Sequence, residues 1–336
     1  MSATFRSVYK SWSSIISLST IVILNVCIIS SKSVHGAPTN EVDQQHSSLP
    51  AVDGPLELVN HRCSCGHSQY HQERRHHHHY HHFRSDLPPV SARVVGGGES
   101  PDGRFPWMTG LLDAFGFNFC GGALISRRHV LTAAHCVHNK RATDIKVVIG
   151  ETDVDLAYLF NRYHRVKSMV THPGFVHANW SHDIAILTLA TEADPKLEPI
   201  CLPLAMVDFQ RSHRFQRLIV AGWGRLASGN SLKPSKLHQV TLPAVDDARC
   251  EAAWFTNGVS SRWQLCAGAA GRDTCVYDSG SPLMDTGGHR SQVTLAGITS
   301  FGSSKCGEAG KPGVYTRVTS YMPFIRENTR SYCVAS

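Results

Sequence analysis

The chain has 336 residues, 42% of them apolar and 18% charged, with a formal charge of +7 at pH 7. That composition excludes a chain disordered throughout. Residues 94–336 carry 25 basic and 20 acidic side chains without a basic run, which excludes a nucleic-acid partner.

In chain order, Arg6 and Lys10 precede the apolar run "IISLSTIVILNVCIIS", and the small-residue stretch "SVHGAP" follows it. Residues 1–36 read as a secretory signal cut near Gly36. The alternative is an uncleaved signal anchor, a type II membrane span, because residues 15–30 approach the roughly 20 apolar residues that cross a bilayer. Ser17, Ser19, Thr20 and Asn25 weaken that alternative. Of eleven cysteines, Cys27 would leave with the signal. The even number that remains fits disulfides in an oxidising, extracellular compartment.

Residues 37–93 are polar and rich in histidine, with His76 to His79, then His81 and His82 on either side of Tyr80. Such a segment cannot bury enough apolar surface to fold alone, and reads as a largely disordered linker or pro-segment. Neutral imidazoles bind Zn²⁺ or Cu²⁺. Nothing fixes ligand geometry in a disordered tract, so a solvated spacer is the favoured reading, with no metal and no cofactor expected.

From Val94 the texture changes to short β-rich runs broken by Gly, Pro, Asn and Asp: "WMTGLL", "ALISRRHVLTAA", "IKVVIG", "IAILTL", "RLIVAGWG", "VTLAGITSF" and "GVYTRV". This spacing predicts antiparallel barrels or sandwiches. One helix is predicted, in "TSYMPFIREN", with Thr319 or Ser320 as its cap. Asn179 in "NWS" is a glycosylation sequon on a loop expected to be exposed. The loop after Glu151 lacks a convincing second acid, so no calcium site is expected there.

Three motifs carry chemistry: "LTAAHC" with His135, "SHDIAIL" with Asp183, and "YDSGSPL" with Ser279. A hydroxyl is a poor nucleophile until an imidazole takes its proton, and the imidazole needs a buried carboxylate to fix its tautomer and steady its charged form. Each residue alone is weak; together, in this order, they resemble the trypsin and chymotrypsin family of serine proteases. "RVVGG" at 93–97, "CGGALIS" at 120–126, "AGWGR" at 221–225, "LCAG" at 265–268 and "GKPGVYTRV" at 310–318 extend the resemblance over residues 94–336.

The resemblance implies an all-β fold of two six-stranded antiparallel β-barrels with a C-terminal helix, and a triad of His135, Asp183 and Ser279 in the cleft between the barrels. It implies cleavage after Arg93, freeing the amine of Val94 to pair with a buried Asp278. Asp273 falls at the floor of the primary specificity pocket, and Gly302 and Gly313 at its walls, which points to substrates with Arg or Lys at the cleaved bond. Ser300 and Phe301 line the same strand. Phe301 stands where the family usually has Trp, and Trp180 is placed to narrow the neighbouring subsite.

Tyr277 and Ser281 stand where such nucleophile loops usually carry glycine. The oxyanion hole would be formed by the N–H groups of Tyr277 and Ser279, and a backbone donor survives the addition of a side chain if the backbone angles are met. If they are not, losing one donor costs about 3 to 4 kcal/mol. The alternative function is then a catalytically impaired homologue that acts as a binding or cofactor protein.

Family pairing implies disulfides Cys120 with Cys136, Cys250 with Cys266, and Cys275 with Cys306. Cys65 with Cys201 and Cys63 with Cys333 are expected to tether the pro-segment, as in certain arthropod extracellular proteases. The product would be a monomer of two disulfide-linked chains, dependent on an upstream activating protease and open to serpin-type inhibitors. Its two pro-segment cysteines are too few for a six-cysteine clip domain.

Overall fold

Short apolar runs become antiparallel strands in two sheets that face one another across the nucleophile loop. The structure is a computed structural model that describes residues 64–68, 97–204, 218–225, 233–287, 292–329 and 331–334. In the first sheet the strands run Met108–Leu112, Asn118–Ser126, His129–Thr132, Ala185–Leu189, His164–Thr171 and Lys146–Ile149, and the last pairs back onto the first to close a barrel. Glycine makes room between neighbouring strands: a Cβ on Gly122 would stand 2.6 Å from Oγ1 of its cross-strand partner Thr109.

The second sheet is a half-barrel of eight strands, in the order Gly98–Glu99, His238–Leu242, Leu218–Gly222, Pro282–Asp285, Thr294–Phe301, Gly313–Arg317, Gln264–Ala267 and Ala244–Val245. Its two outermost strands are two residues long and do not pair with each other among the described residues, so it curls without closing. Several strands carry little sequence signal. His164–Thr171 is mostly exposed on both faces, and neither its pattern nor its composition marks it as β.

The C-terminal helix is Met322–Asn328, preceded by a 3₁₀ turn over Val318–Tyr321. Thr319 and Ser320, expected as caps, lie inside that turn, and no side chain caps the helix. Ser320 Oγ donates instead to the Arg262 carbonyl. Pro323 in the first helical turn supplies a preset φ where a missing N–H costs nothing. Met322 and Ile325 are fully buried in an apolar cluster shared with residues of both sheets, each contributing about 1.5 to 3 kcal/mol. Further short helices occupy Ala134–Val137, Val154–Leu159 and Asp247–Ala253. Each is too short for a 3.6-residue pattern to stand out from the loops around it.

Disulfides join Cys65 to Cys201, Cys120 to Cys136, Cys250 to Cys266 and Cys275 to Cys306. Cys333 is also disulfide-bonded; its expected partner Cys63 lies outside the described residues, as do Arg93, Val94 and the histidine run. Residues 64–68 are docked on the protease body. Gly66 N donates to the Pro199 carbonyl and its own carbonyl accepts from Val293 N, while Ser64 Oγ and His67 N donate to the Glu198 carboxylate. Gly66 has φ +71°, and a Cβ there would meet Val293 O at 2.5 Å. Among the described residues no helix is long and apolar enough to cross a membrane.

Candidate active site

His135 follows the strand His129–Thr132 and sits in the helical turn Ala134–Val137, held from the side by the Cys120–Cys136 bridge. Asp183 lies just ahead of the strand Ala185–Leu189 and is 1% exposed. A buried carboxylate is costly unless it is hydrogen-bonded, and three donors meet this one. Asp183 Oδ1 accepts from His135 N at 2.8 Å, and Oδ2 accepts from His135 Nδ1 at 2.7 Å and from Ser300 Oγ at 2.6 Å. Thr316 Oγ1 donates to the Asp183 carbonyl. With Nδ1 engaged as donor, Nε2 is the ring nitrogen left free to accept a proton. Ser300, expected only along the substrate strand, therefore also orients the carboxylate; nothing in its sequence position marked that second role.

The sulfurs of Cys120 and Cys136 lie beside the His135 ring in a group that has metal-site dimensions. They are bonded to each other, so neither offers the thiolate that a metal requires.

Ser279 is fixed through its backbone: its carbonyl accepts from Gly121 N at 2.8 Å, on the strand that carries Cys120. The next residue, Gly280, has φ +81°, and a Cβ there would stand 2.3 Å from Thr132 Oγ1. No hydrogen bond joins Ser279 Oγ to His135 Nε2 among the described residues. Catalytic contacts of this kind commonly tighten only when substrate binds.

Tyr277 has φ +79° and is the third residue of a turn closed by Asp278 N donating to the Cys275 carbonyl. That is the position in a type II turn that demands positive φ and usually glycine. The Val276 carbonyl accepts from Arg225 N at 2.8 Å. In a planar trans peptide the N–H points opposite to the C=O, so the Tyr277 N–H is turned away from Arg225. Neither it nor the Ser279 N–H has an acceptor among the described residues. Buried or half-buried orphan donors are rare without a purpose.

Ser281 is buried, and its hydroxyl fits because two neighbours are glycine: a Cβ would stand 2.1 Å from Ser281 Oγ on Gly121 and 3.2 Å on Gly222. Asp278 is also buried; its oxygens accept from Gly224 N at 2.8 Å and Cys275 N at 2.9 Å, and burial pushes its pKa up to about 6.

Asp273 is 2% exposed and accepts from Thr274 N and Gly307 N. Burial pushes it up to about 6, against the pull of these backbone bonds. Gly313 and Gly302 border it: an added Cβ would lie 2.7 Å from Asp273 Oδ1 on the first and 3.9 Å from Oδ2 on the second. Tyr315, fully buried beside Thr274, backs the same slot, and sequence reasoning missed it. Above the slot, Trp180 lies 4.0 Å from the His135 ring and 6.2 Å from Phe301, which meets Trp254 edge-on at 5.4 Å. Asn179, the sequon residue, is exposed beside Trp180.

What the two sheets hold between them is a serine endopeptidase site of the trypsin kind. The trypsin family model matches residues 94–325, and the chain belongs to that family. It is 37% identical over 261 residues to a proclotting enzyme of Tachypleus tridentatus, covering 71% of this chain and 67% of that protein. It is 36% identical over 261 residues to the CLIP domain-containing serine protease B4 of Anopheles gambiae, with 71% of each chain covered. The clotting factor G beta subunit of Tachypleus tridentatus is 31% identical over 267 residues, 74% of this chain and 83% of the relative. The binding-only alternative is not favoured.

Proposed function

We propose that this chain is the secreted zymogen of an endopeptidase that cuts protein substrates after Arg or Lys. The observation that carries the specificity is Asp273, a buried carboxylate between two glycines that has no cation partner among the described residues. A substrate guanidinium or ammonium entering that slot would relieve its burial cost. The close packing of Trp180 on His135 supports a small residue just ahead of the cleaved Arg or Lys.

His135 Nε2 takes the Ser279 proton as Oγ attacks the scissile carbonyl carbon, and Asp183 steadies the imidazolium so formed. The carbonyl oxygen becomes an anion held by the N–H groups of Tyr277 and Ser279, the two donors left without protein acceptors. His135 then protonates the departing amine. Water, activated by the same imidazole, releases the acyl group.

Cleavage after Arg93 frees the Val94 amine to pair with Asp278, whose buried carboxylate lacks a salt-bridge partner among the described residues and favours gaining one. The Cys65–Cys201 bridge keeps the pro-segment attached after the cut. Its docking through Glu198 and Pro199 supports a regulatory role among cascade partners, and the relative named as a proclotting enzyme supports an activating protease upstream.

The test is the full chain cut after Arg93 and assayed on chromogenic amides ending in Arg, Lys or Leu. Arg and Lys amides turn over, Leu does not, and Ser279→Ala falls by at least about 10⁴. Absence of turnover with a correct Val94 terminus would reject the catalytic reading.

A further inference from the structure

Opposite the Asp273 slot, on the side of Tyr277 where the leaving group departs, the chain gathers cations that form no ion pair among the described residues. The Tyr277 ring meets Phe117 edge-on, with centroids 5.4 Å apart. Lys233 Nζ lies 5.0 Å from the Phe117 centroid and 5.4 Å from that of Tyr277, and donates to the Asn118 carbonyl. The Arg225 guanidinium stands over the Tyr277 ring at 5.5 Å, and its Nε is buried without an acceptor among the described residues. The Asn118 side-chain amide beside them is buried with both its nitrogen and its oxygen unpartnered.

An ammonium has three donors, and a single acceptor, the Asn118 carbonyl, is present for Lys233 among the described residues. The rings offset part of its desolvation through their π-faces but supply no oxygen. Burial draws Lys233 down to about 8, against the pull of Asp155 and Asp278, neither of which forms an ion pair with it among the described residues. Asp278 is not its partner: its oxygens are turned to Gly224 and Cys275. A half-buried cation with spare donors is stabilised by a carboxylate that reaches it.

We infer that Lys233, with Arg225 beside it, forms a carboxylate-binding subsite on the leaving-group side, so that the enzyme favours substrates with Asp or Glu in the first positions after the cleaved bond. The inference rests on the assignment of Ser279 as nucleophile and Tyr277 as oxyanion donor, which fixes that side of the cleft.

The experiment uses the full chain cut after Arg93 and quenched fluorescent peptides that share Arg at the cleaved position and carry Asp, Ala or Lys at the next two. The expected kcat/KM order is Asp above Ala above Lys, with roughly tenfold steps of the kind one partly desolvated charge contact gives. Lys233→Met collapses the Asp-to-Ala ratio and Lys233→Glu inverts it; a ratio within one variant is unaffected by how much of that variant folds. Equal rates for the three peptides in the native sequence, or a ratio that survives in Lys233→Met, would overturn the subsite. Peptide affinities of Ser279→Ala, read by fluorescence anisotropy, show the same order and decide the matter without turnover. Failure of catalysis and failure of the subsite are thereby separate results.

Discussion

The two sides of the cleft are electrical opposites. Among the described residues, Asp273 on the acyl side is a buried acid with no cation bonded to it, and Lys233 and Arg225 on the leaving-group side are half-buried cations with no acid bonded to them. Each is the kind of charge that costs stability when left alone. On the specificity and the subsite proposed above, the difference teaches that both charges are kept for groups the protein itself does not supply, a cation on one side of the scissile bond and an anion on the other. Between them Asp183 is held by three donors, His135 N, His135 Nδ1 and Ser300 Oγ.

The largest expected effect comes from emptying the acyl side. Asp273→Asn keeps the shape and most hydrogen bonds of the slot but leaves a substrate cation buried without a counter-charge, at a cost of about 3 to 5 kcal/mol. The kcat/KM for Arg amides should fall by on the order of 10² to 10⁴, while the preference between Asp and Ala after the bond, measured in peptides, keeps its ratio. A loss shared by both ratios would mean that the two sides are one coupled site.

A milder perturbation discharges each side in turn. Burial raises Asp273 to about 6 and lowers Lys233 to about 8, so acid neutralises the first and base the second. Benzamidine needs the Asp273 carboxylate, and its binding to Ser279→Ala should weaken about tenfold per unit below pH 6. Over that range Lys233 and Arg225 stay charged. The advantage of an Asp-bearing peptide should instead fade as pH rises through 8. Calorimetric titration of both ligands from pH 4.5 to 9.5 checks the crossing; parallel profiles would dissolve the contrast.

The acyl side was largely legible in the sequence and the leaving-group side was not. Asp273, Gly302 and Gly313 stand at fixed offsets in short motifs, because a buried carboxylate and two missing Cβ atoms leave few alternatives. The closed barrel was legible because strands such as Met108–Leu112 and Ala185–Leu189 are short, mostly apolar runs. Lys233 and Arg225 come from the connection between Leu218–Gly222 and His238–Leu242, and Phe117 from the loop ahead of Asn118–Ser126; none has a periodicity of its own, and only tertiary packing brings them to one ring. Ser300 was read for its strand and not for its hydroxyl, whose partner Asp183 is 117 residues away in the chain. The half-barrel's polar strands and the 3₁₀ start of the last helix escaped notice because neither has an apolar pattern of its own.

Tyr277 is where the two sides touch, and replacing it with glycine gives the smallest expected change in stability and the sharpest view of what the ring does. At φ +79° a side chain costs about 1 to 2 kcal/mol that glycine would recover. Glycine gives back roughly 0.5 to 1 kcal/mol in chain entropy, and the lost contacts with Phe117, Lys233 and Arg225 account for about another 1 kcal/mol. These terms nearly cancel, so Tyr277→Gly should move Tm by no more than about 4 °C. The same variant removes the surface that holds Lys233 in place, so the preference for an acid after the bond should drop several-fold and bulky protein inhibitors should bind more tightly. A Tm loss well beyond 4 °C would make the ring a packing element of the body. Unchanged inhibitor affinity would show that it does not overhang the cleft.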